Sequence, residues 1–178
     1  IFEAQEEINC IDLHPSEEFV SLCDDSGDVF VIDIRSKRPF KKPRERHSNV
    51  ASVCKFLPIN KRWNLFSGGM DEMLFQWDFS RGSVISRHQF SSDVNSSPQL
   101  VNPSHVHSIA INPDNKMAAV GLGNGTVKLF TQQKNRKLLE EHKVDTIEAH
   151  SWSVTALEFS TQGTLISAGI DKKVVFIE

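Results

Sequence analysis

The sequence predicts an all-β fold built from one antiparallel unit repeated along the chain. Two observations carry this. A turn followed by an apolar strand occurs four times, as DDSGDVFVID (24–33), GMDEMLFQWD (69–78), LGNGTVKLFT (122–131) and GIDKKVVFIE (169–178). A second apolar strand precedes each, as INCIDLHP (8–15), ASVCKFLP (51–58), VHSIAINP (106–113) and VTALEFST (154–161), with ends 43, 55 and 48 residues apart. Helical periodicity is absent, and β-branched and aromatic residues fill the runs.

Each copy also holds a third apolar run between these two: FVSLC (19–23), NLFSG (64–68), MAAVG (117–121) and TLISAG (164–169). In the second copy Ser67, Gly68 and Gly69 end one strand, Asp71 caps a tight turn, and 74–77 begins the next strand, the order that a β-hairpin needs. Weaker fourth strands are expected at 38–42, 84–90 and 137–141. Four-stranded units at this period mark the blades of a β-propeller. The expected fold is one propeller segment over 1–178, of about four blades at 6–44, 47–90, 102–142 and 150–178. Its apolar packing positions would be Ile8, Ile11, Leu13, Val29 and Val31 in the first copy and Val53, Phe56 and Leu74 in the second. The third would use Val106, Ile109, Ile111, Val127 and Leu129, and the fourth Val154, Leu157, Phe159, Val174 and Phe176.

Bulk composition narrows the function classes. Of 178 residues, 39% are hydrophobic and 24% charged, which marks a globular chain rather than a disordered one. No apolar run approaches the roughly 20 residues of a membrane helix. No signal peptide is visible; since the first residue is Ile1 rather than Met, a leader removed upstream stays open. Cys10, Cys23 and Cys54 have neither CxxC spacing nor an even count, so each reads as a small buried hydrophobe in a reducing compartment, cytoplasmic or nuclear. The net charge of −3 conceals a basic run, RSKRPFKKPRER at 35–46, which carries +6 against −9 for the remainder. Lys37, Arg38, Lys41, Lys42 and Arg44 in that run could hold an acidic partner, or solvate an outer edge. No aromatic interleaving or binding motif accompanies them, so nucleic acid is not the expected partner.

The copies resemble the repeats of WD-repeat propellers over nearly the whole chain. Trp77-Asp78 matches the dipeptide that names that family, and its Gly-His element persists in part as Arg46-His47 and Ala149-His150. The resemblance implies a segment of a longer ring, usually seven-bladed. It also implies a polar chain that locks a blade, in which the Trp indole bonds a hydroxyl, the hydroxyl bonds His and the His bonds the turn Asp. His47, Ser67, Asp71 and Trp77 match these roles. His150, Ser167 and Asp171 match three of them, with Ile177 in place of Trp. The first copy has Ser26 at the Asp position, preceded by Asp24 and Asp25. The third has Asn124 and Phe130, with Asn102 at the His position. Ser67, His47 and Asp71 do not read as a hydrolase triad, because there is no G-x-S-x-G elbow and no strand-to-helix turn.

Function is expected at the rims rather than in chemistry: not an enzyme, without cofactor or metal, binding protein partners. Asp33-Ile34-Arg35 resembles the Asp-x-Arg element by which many WD-repeat receptors dock on the damaged-DNA-binding adaptor of cullin-4 ubiquitin ligases, although Ile32 replaces the motif's Trp. Trp77-Asp78 has its Arg, Arg81, one residue late. The long connection 91–105 offers Gln99, Leu100, Val101, Asn102 and Pro103 as a partner-binding loop, ordered in its second half and looser in its first. His105 and His107 alternate on one side, yet no third ligand stands at metal spacing. The resemblance implies a substrate receptor of a cullin-4 ligase. The alternative is a general scaffold in a nuclear or chromatin-associated complex.

Overall fold

The computed structural model describes residues 1–58, 63–90, 102–114, 116–131 and 144–178. These residues are all-β, with fifteen strands in four antiparallel sheets and each strand paired to its sequence neighbour. The first sheet holds β1 (Ile8–Leu13), β2 (Phe19–Asp24), β3 (Val29–Asp33) and β4 (Arg38–Pro39). The second holds β5 (Ala51–Phe56), β6 (Asn64–Gly69), β7 (Met73–Asp78) and β8 (Ser83–Gln89). The third holds β9 (Val106–Ile111), β10 (Met117–Leu122), β11 (Thr126–Thr131) and β12 (Val144–Glu148), and the fourth β13 (Val154–Phe159), β14 (Leu165–Gly169) and β15 (Val174–Ile177). These are blade-type sheets, and the strands of the repeat signatures fall where the sequence puts them.

β8 (Ser83–Gln89) lies within a residue of the expected 84–90, whereas the other two expected fourth strands differ. β4 is only Arg38–Pro39, although Phe40 N just beyond it still donates to Val31 O at 2.7 Å. The partner of β11 is Val144–Glu148, so the third copy runs past 142; the expected strand at 137–141 lies outside the described residues. The fourth sheet has three strands.

One irregularity recurs that the sequence pattern does not announce. Every first strand carries a bulge at its second residue, because register slips by one at Asn9, Ser52, His107 and Thr155. A bulge sharpens the local twist at the cost of one unpaired residue. Polar side chains at the bulges recover hydrogen bonds: Ser52 Oγ donates to Gly68 O at 3.2 Å and Thr155 Oγ1 to Ala168 O at 3.3 Å.

The chain divides into two compact units, Ile1–His88 and Gln89–Glu178. In the first, β1 lies against β5, and Phe19, Cys23, Val29, Val31, Cys54, Phe56, Leu65, Phe75, Trp77 and Phe79 form a core shared by its two sheets. Asp12 braces the same contact, accepting from Lys55 Nζ at 2.9 Å and Phe56 N at 2.8 Å. In the second unit β9 lies against β13, around Ala110, Ala119, Val127, Val154, Leu157, Phe159 and Leu165. Five expected packing residues are exposed instead: Ile8, Ile11 (70%), Leu13, Val174 and Phe176 (67%). Strand residues alternate between two faces. On β1 and β15 one face enters the unit's core, and these five stand off that face.

The turn between second and third strands has a left-handed residue in all four sheets: Gly27 (φ 86), Glu72 (φ 61), Gly125 (φ 88) and Lys172 (φ 66). Glycine occupies it where the next sheet's incoming chain passes closest. His47 N donates to Gly27 O at 2.9 Å, and His150 N to Gly125 O at 3.0 Å. A Cβ at Gly125 would run into the carbonyl oxygens of His150 and Trp152. Gly125→Ala should therefore lower unfolding free energy by about 1–3 kcal/mol, the scale of one strained backbone residue. Lys172→Gly, at the equivalent turn, should be neutral or stabilising in the same denaturant titration.

Candidate functional site

The second sheet contains a complete buried polar chain. Trp77 Nε1 donates to Ser67 Oγ at 2.8 Å, Ser67 Oγ lies 2.8 Å from His47 Nε2, and His47 Nδ1 lies 2.9 and 3.1 Å from the Asp71 carboxylate oxygens. Indole N–H only donates and carboxylate only accepts, which sets the direction of the two end bonds: Ser67 accepts from Trp77, and Nδ1–H donates to Asp71. Asp71 further accepts from Ser48 N at 3.0 Å and Met73 N at 3.2 Å, tying the incoming chain to the turn. The His47 ring stacks on Phe75 at 4.2 Å.

The fourth sheet repeats three of the four members. His150 Nδ1 lies 2.9 Å from Asp171 Oδ1 and His150 Nε2 lies 3.0 Å from Ser167 Oγ. Ser151 N and Lys173 N both donate to Asp171 at 3.2 Å. Ile177 stands where Trp would be and packs against the apolar core.

Gly69 and Gly169 make room for these rings. A Cβ on either would stand 2.7 Å from the Nδ1 of His47 or His150. In the first and third sheets, which lack the His, the same register position carries Asp24 and Leu122. Asp24 caps its own turn, accepting at Oδ1 from Ser26 N (3.1 Å), Ser26 Oγ (2.7 Å) and Asp28 N (3.1 Å). In the third sheet Asn124 Oδ1 accepts from Thr126 N (3.1 Å) and Oγ1 (2.7 Å). Its Nδ2 donates to Ser104 Oγ at 3.4 Å. Ser104, not Asn102, thus meets the turn; Asn102 Nδ2 finds no acceptor among the described residues.

Burial decides what the Ser-His-Asp sets do. Ser67 and Ser167 are fully buried, and the Ser67 hydroxyl already serves both Trp77 and His47. Both sets are thus closed from solvent and tie strand, turn and incoming chain together by hydrogen bonds.

The rim residues are arranged differently. Asp33 ends β3, and its Oδ1 accepts from Ser36 N at 2.6 Å while Lys37 N donates to Asp33 O at 2.8 Å. The Ser36 amide, then the Ser36 hydroxyl, hold the Asp33 carboxyl below the usual carboxylate range. Arg35 lies exposed in this turn with no ion pair among the described residues. At the matching turn after β7, Asp78 accepts from Ser80 N at 3.1 Å and Ser80 Oγ at 2.6 Å, and Arg81 Nε pairs with Asp78 at 3.3 Å. Lys37, Arg38, Lys41, Lys42 and Arg44 are exposed along the connection to the second sheet, and none forms an ion pair among the described residues. Glu45, just beyond them, pairs with Arg87.

Of the long connection, Gln99, Leu100 and Val101, with the stretch 91–98 expected to be looser, lie outside the described residues. Asn102 is partly buried, and Pro103 is exposed with its carbonyl against Gly123. The rings of His105 and His107 are 6.2 Å apart, and burial, then the His105 charge, lowers the His107 pKa. No group that could hold a metal occurs among the described residues, nor does any helix long and apolar enough to cross a membrane.

The profile of the family described as WD domain, G-beta repeat, matches residues 85–131 and 141–177. These two segments carry the WD repeat. Each matched repeat begins in the outer strand of one sheet and continues through the first three strands of the next. WD repeat-containing protein 53 homolog of Dictyostelium discoideum is 26% identical over 96% of this chain and 50% of its own length. Transcription factor unc-37 of Caenorhabditis elegans is 26% identical over 89% of the chain and 22% of its length, and Protein groucho of Drosophila melanogaster 24% over 89% and 19%. The chain thus spans half or less of each of these relatives. WD-repeat proteins bind protein partners.

Two predictions follow from the WD-repeat locks. Trp77→Phe should cost about 1–3 kcal/mol, the penalty of orphaning a buried hydrogen-bond partner, and His47→Ala at least as much; paired thermal melts check both. Acid should also loosen the locks. Burial pushes both carboxyls up, but the His47 bond and charge, with the Ser48 and Met73 amides, bring Asp71 below its ordinary 3.8. The His150 bond and the Ser151 and Lys173 amides bring Asp171 to about 2. A lowered folded-state pKa gives stability that is complete above the unfolded value and lost as pH falls through the folded one. Unfolding free energy should drop as pH falls from 3.8 toward about 2, and Asp171→Asn should flatten that slope.

Proposed function

We propose that this WD-repeat chain belongs to a substrate receptor that docks on the adaptor of a cullin-4 ubiquitin ligase through the turn after β3. The carrying observation is Arg35, exposed in a turn that Asp33 pins through the Ser36 amide at 2.6 Å. A planar guanidinium on a pinned turn is pre-organised for bidentate pairing with a carboxylate. Arg81 makes the contrast, because its guanidinium is engaged by Asp78. A receptor needs no chemistry of its own, since tethering raises the local concentration of substrate beside the enzyme. The chain covers 50% of the Dictyostelium relative, so the activity is proposed for the full-length protein, as part of a longer ring in the cytoplasm or nucleus.

A second reading is a general scaffold in a nuclear or chromatin-associated complex, contacting an acidic partner through Lys37, Arg38, Lys41, Lys42 and Arg44. Their exposure without ion pairs among the described residues favours it, as does the similarity to a transcription factor, unc-37.

In the full-length protein, Arg35→Ala should weaken capture of the purified adaptor more than tenfold with an unchanged melting temperature, while Arg81→Ala binds like wild type. Equal binding by Arg35→Ala, or no capture by wild type, overturns the receptor reading and leaves the scaffold.

A further inference from the structure

We propose that Cys10, Cys23 and Cys54 form a thiol modification site, in which a hydroperoxide oxidises Cys10 and Cys23 then closes a disulfide with it. The sequence scatters these residues over 45 positions, with no motif among them. The fold gathers them from β1, β2 and β5. Cys10 and Cys23 are direct partners across the β1–β2 ladder. Directly opposed residues point to one face with Cα atoms about 4.5–5.5 Å apart, within the roughly 4.4–6.8 Å window of a disulfide. The Cys10 Sγ lies 3.6 Å from the Cys54 carbonyl oxygen.

Access and pairing distinguish the three. Cys23 and Cys54 are buried at 0% and 1% exposure, whereas Cys10 is half-buried at the solvent side of the same core. An oxidant therefore meets Cys10 first. The Cys54 thiol donates to Ser21 Oγ at 3.4 Å, which holds it toward β2. A Cys10–Cys23 bond stays within one sheet, beside the bulge at Asn9, and requires no shift of the second sheet. Hydrogen bonds from Cys23 and then Cys54 pull the Cys10 thiol down, against burial, while the bond to Cys10 pushes Cys23 up. A lowered, accessible thiol is the reactive kind.

The chemistry balances. The Cys10 thiolate attacks the peroxide, an S–O bond forms, the O–O bond breaks, and an alcohol or water leaves. The Cys23 sulfur then attacks the sulfenic acid, an S–S bond forms, the S–O bond breaks, and water leaves with the thiol proton. Two thiols lose two electrons to one hydroperoxide, and an external thiol reductant restores them.

Trypsin separates the possible pairings. Cys10 and Cys23 share the tryptic peptide that ends at Arg35 (called 1–35 below, for its residues in this sequence), and Cys54 lies in 47–55. After hydrogen peroxide treatment of the folded protein, an unreduced digest should give peptide 1–35 lighter by two hydrogens and closed to alkylation, with 47–55 still alkylated. Cys54→Ala should give the same result. Cys23→Ser should leave a sulfenic acid on Cys10 that dimedone traps. A cross-link between 1–35 and 47–55, first oxidation at Cys23 or Cys54, or free alkylation of both cysteines in 1–35 overturns the proposal. The wild-type map decides even if a variant fails to fold.

Discussion

His47 is held at both ends, and the architecture of the first unit depends on it. Its backbone amide donates to Gly27 in the first sheet, and its ring reaches Asp71 and Ser67 in the second. One residue thus fixes where a new sheet starts and how its hairpin closes. The ring is usable because its two nitrogens face an obligate acceptor on one side and, on the other, a hydroxyl already engaged by Trp77. His150 repeats the arrangement in the second unit through Gly125, Asp171 and Ser167. Each polar atom of such a chain is satisfied, so burial strengthens it instead of penalising it.

Where the His is missing, the fold replaces the long chain with short turns that cap themselves. Asp24 and Asn124 each accept from the backbone two residues on. Such turns close a hairpin from within, and only Asn124 also reaches the incoming chain, at Ser104. Leu122, buried at the position that Gly69 holds open in the second sheet, shows that space for the ring and the ring itself come together. Packing then carries the inter-sheet contact, aided by Asp12 in the first unit and by the Ser108 hydroxyl, which donates to Val154 O at 3.2 Å, in the second.

This division of labour leaves chemistry little room inside the sheets and gives the rims their freedom. The turns after β3 and β7 are closed by an Asp that accepts the amide two or three residues on, so the intervening side chains are not needed for closure. Arg35 is such a side chain. The thiols are an exception, because they occupy the packed face between β1, β2 and β5 and remain open to solvent through Cys10 alone.

The strands, their order, the hairpin turns and the His47-Ser67-Asp71-Trp77 chain were legible in the sequence. Their partners lie within one hairpin or one repeat, where spacing alone sets the geometry: Asp71 must sit in the turn and Trp77 beside Ser67 down the strand. Tertiary structure decided the rest. Ile11 and Phe176 read as core because alternation marks a face as apolar without saying whether anything covers it. Ser104 displaced Asn102 at the turn of the third sheet because no ring spans the distance there. The bulges at Asn9, Ser52, His107 and Thr155 have no common residue type, as they answer to twist rather than composition. The three cysteines read as separate hydrophobes because their contact depends on how β5 packs against β1 and β2, which is set by the stacking of one sheet on the next and not by any local run of residues.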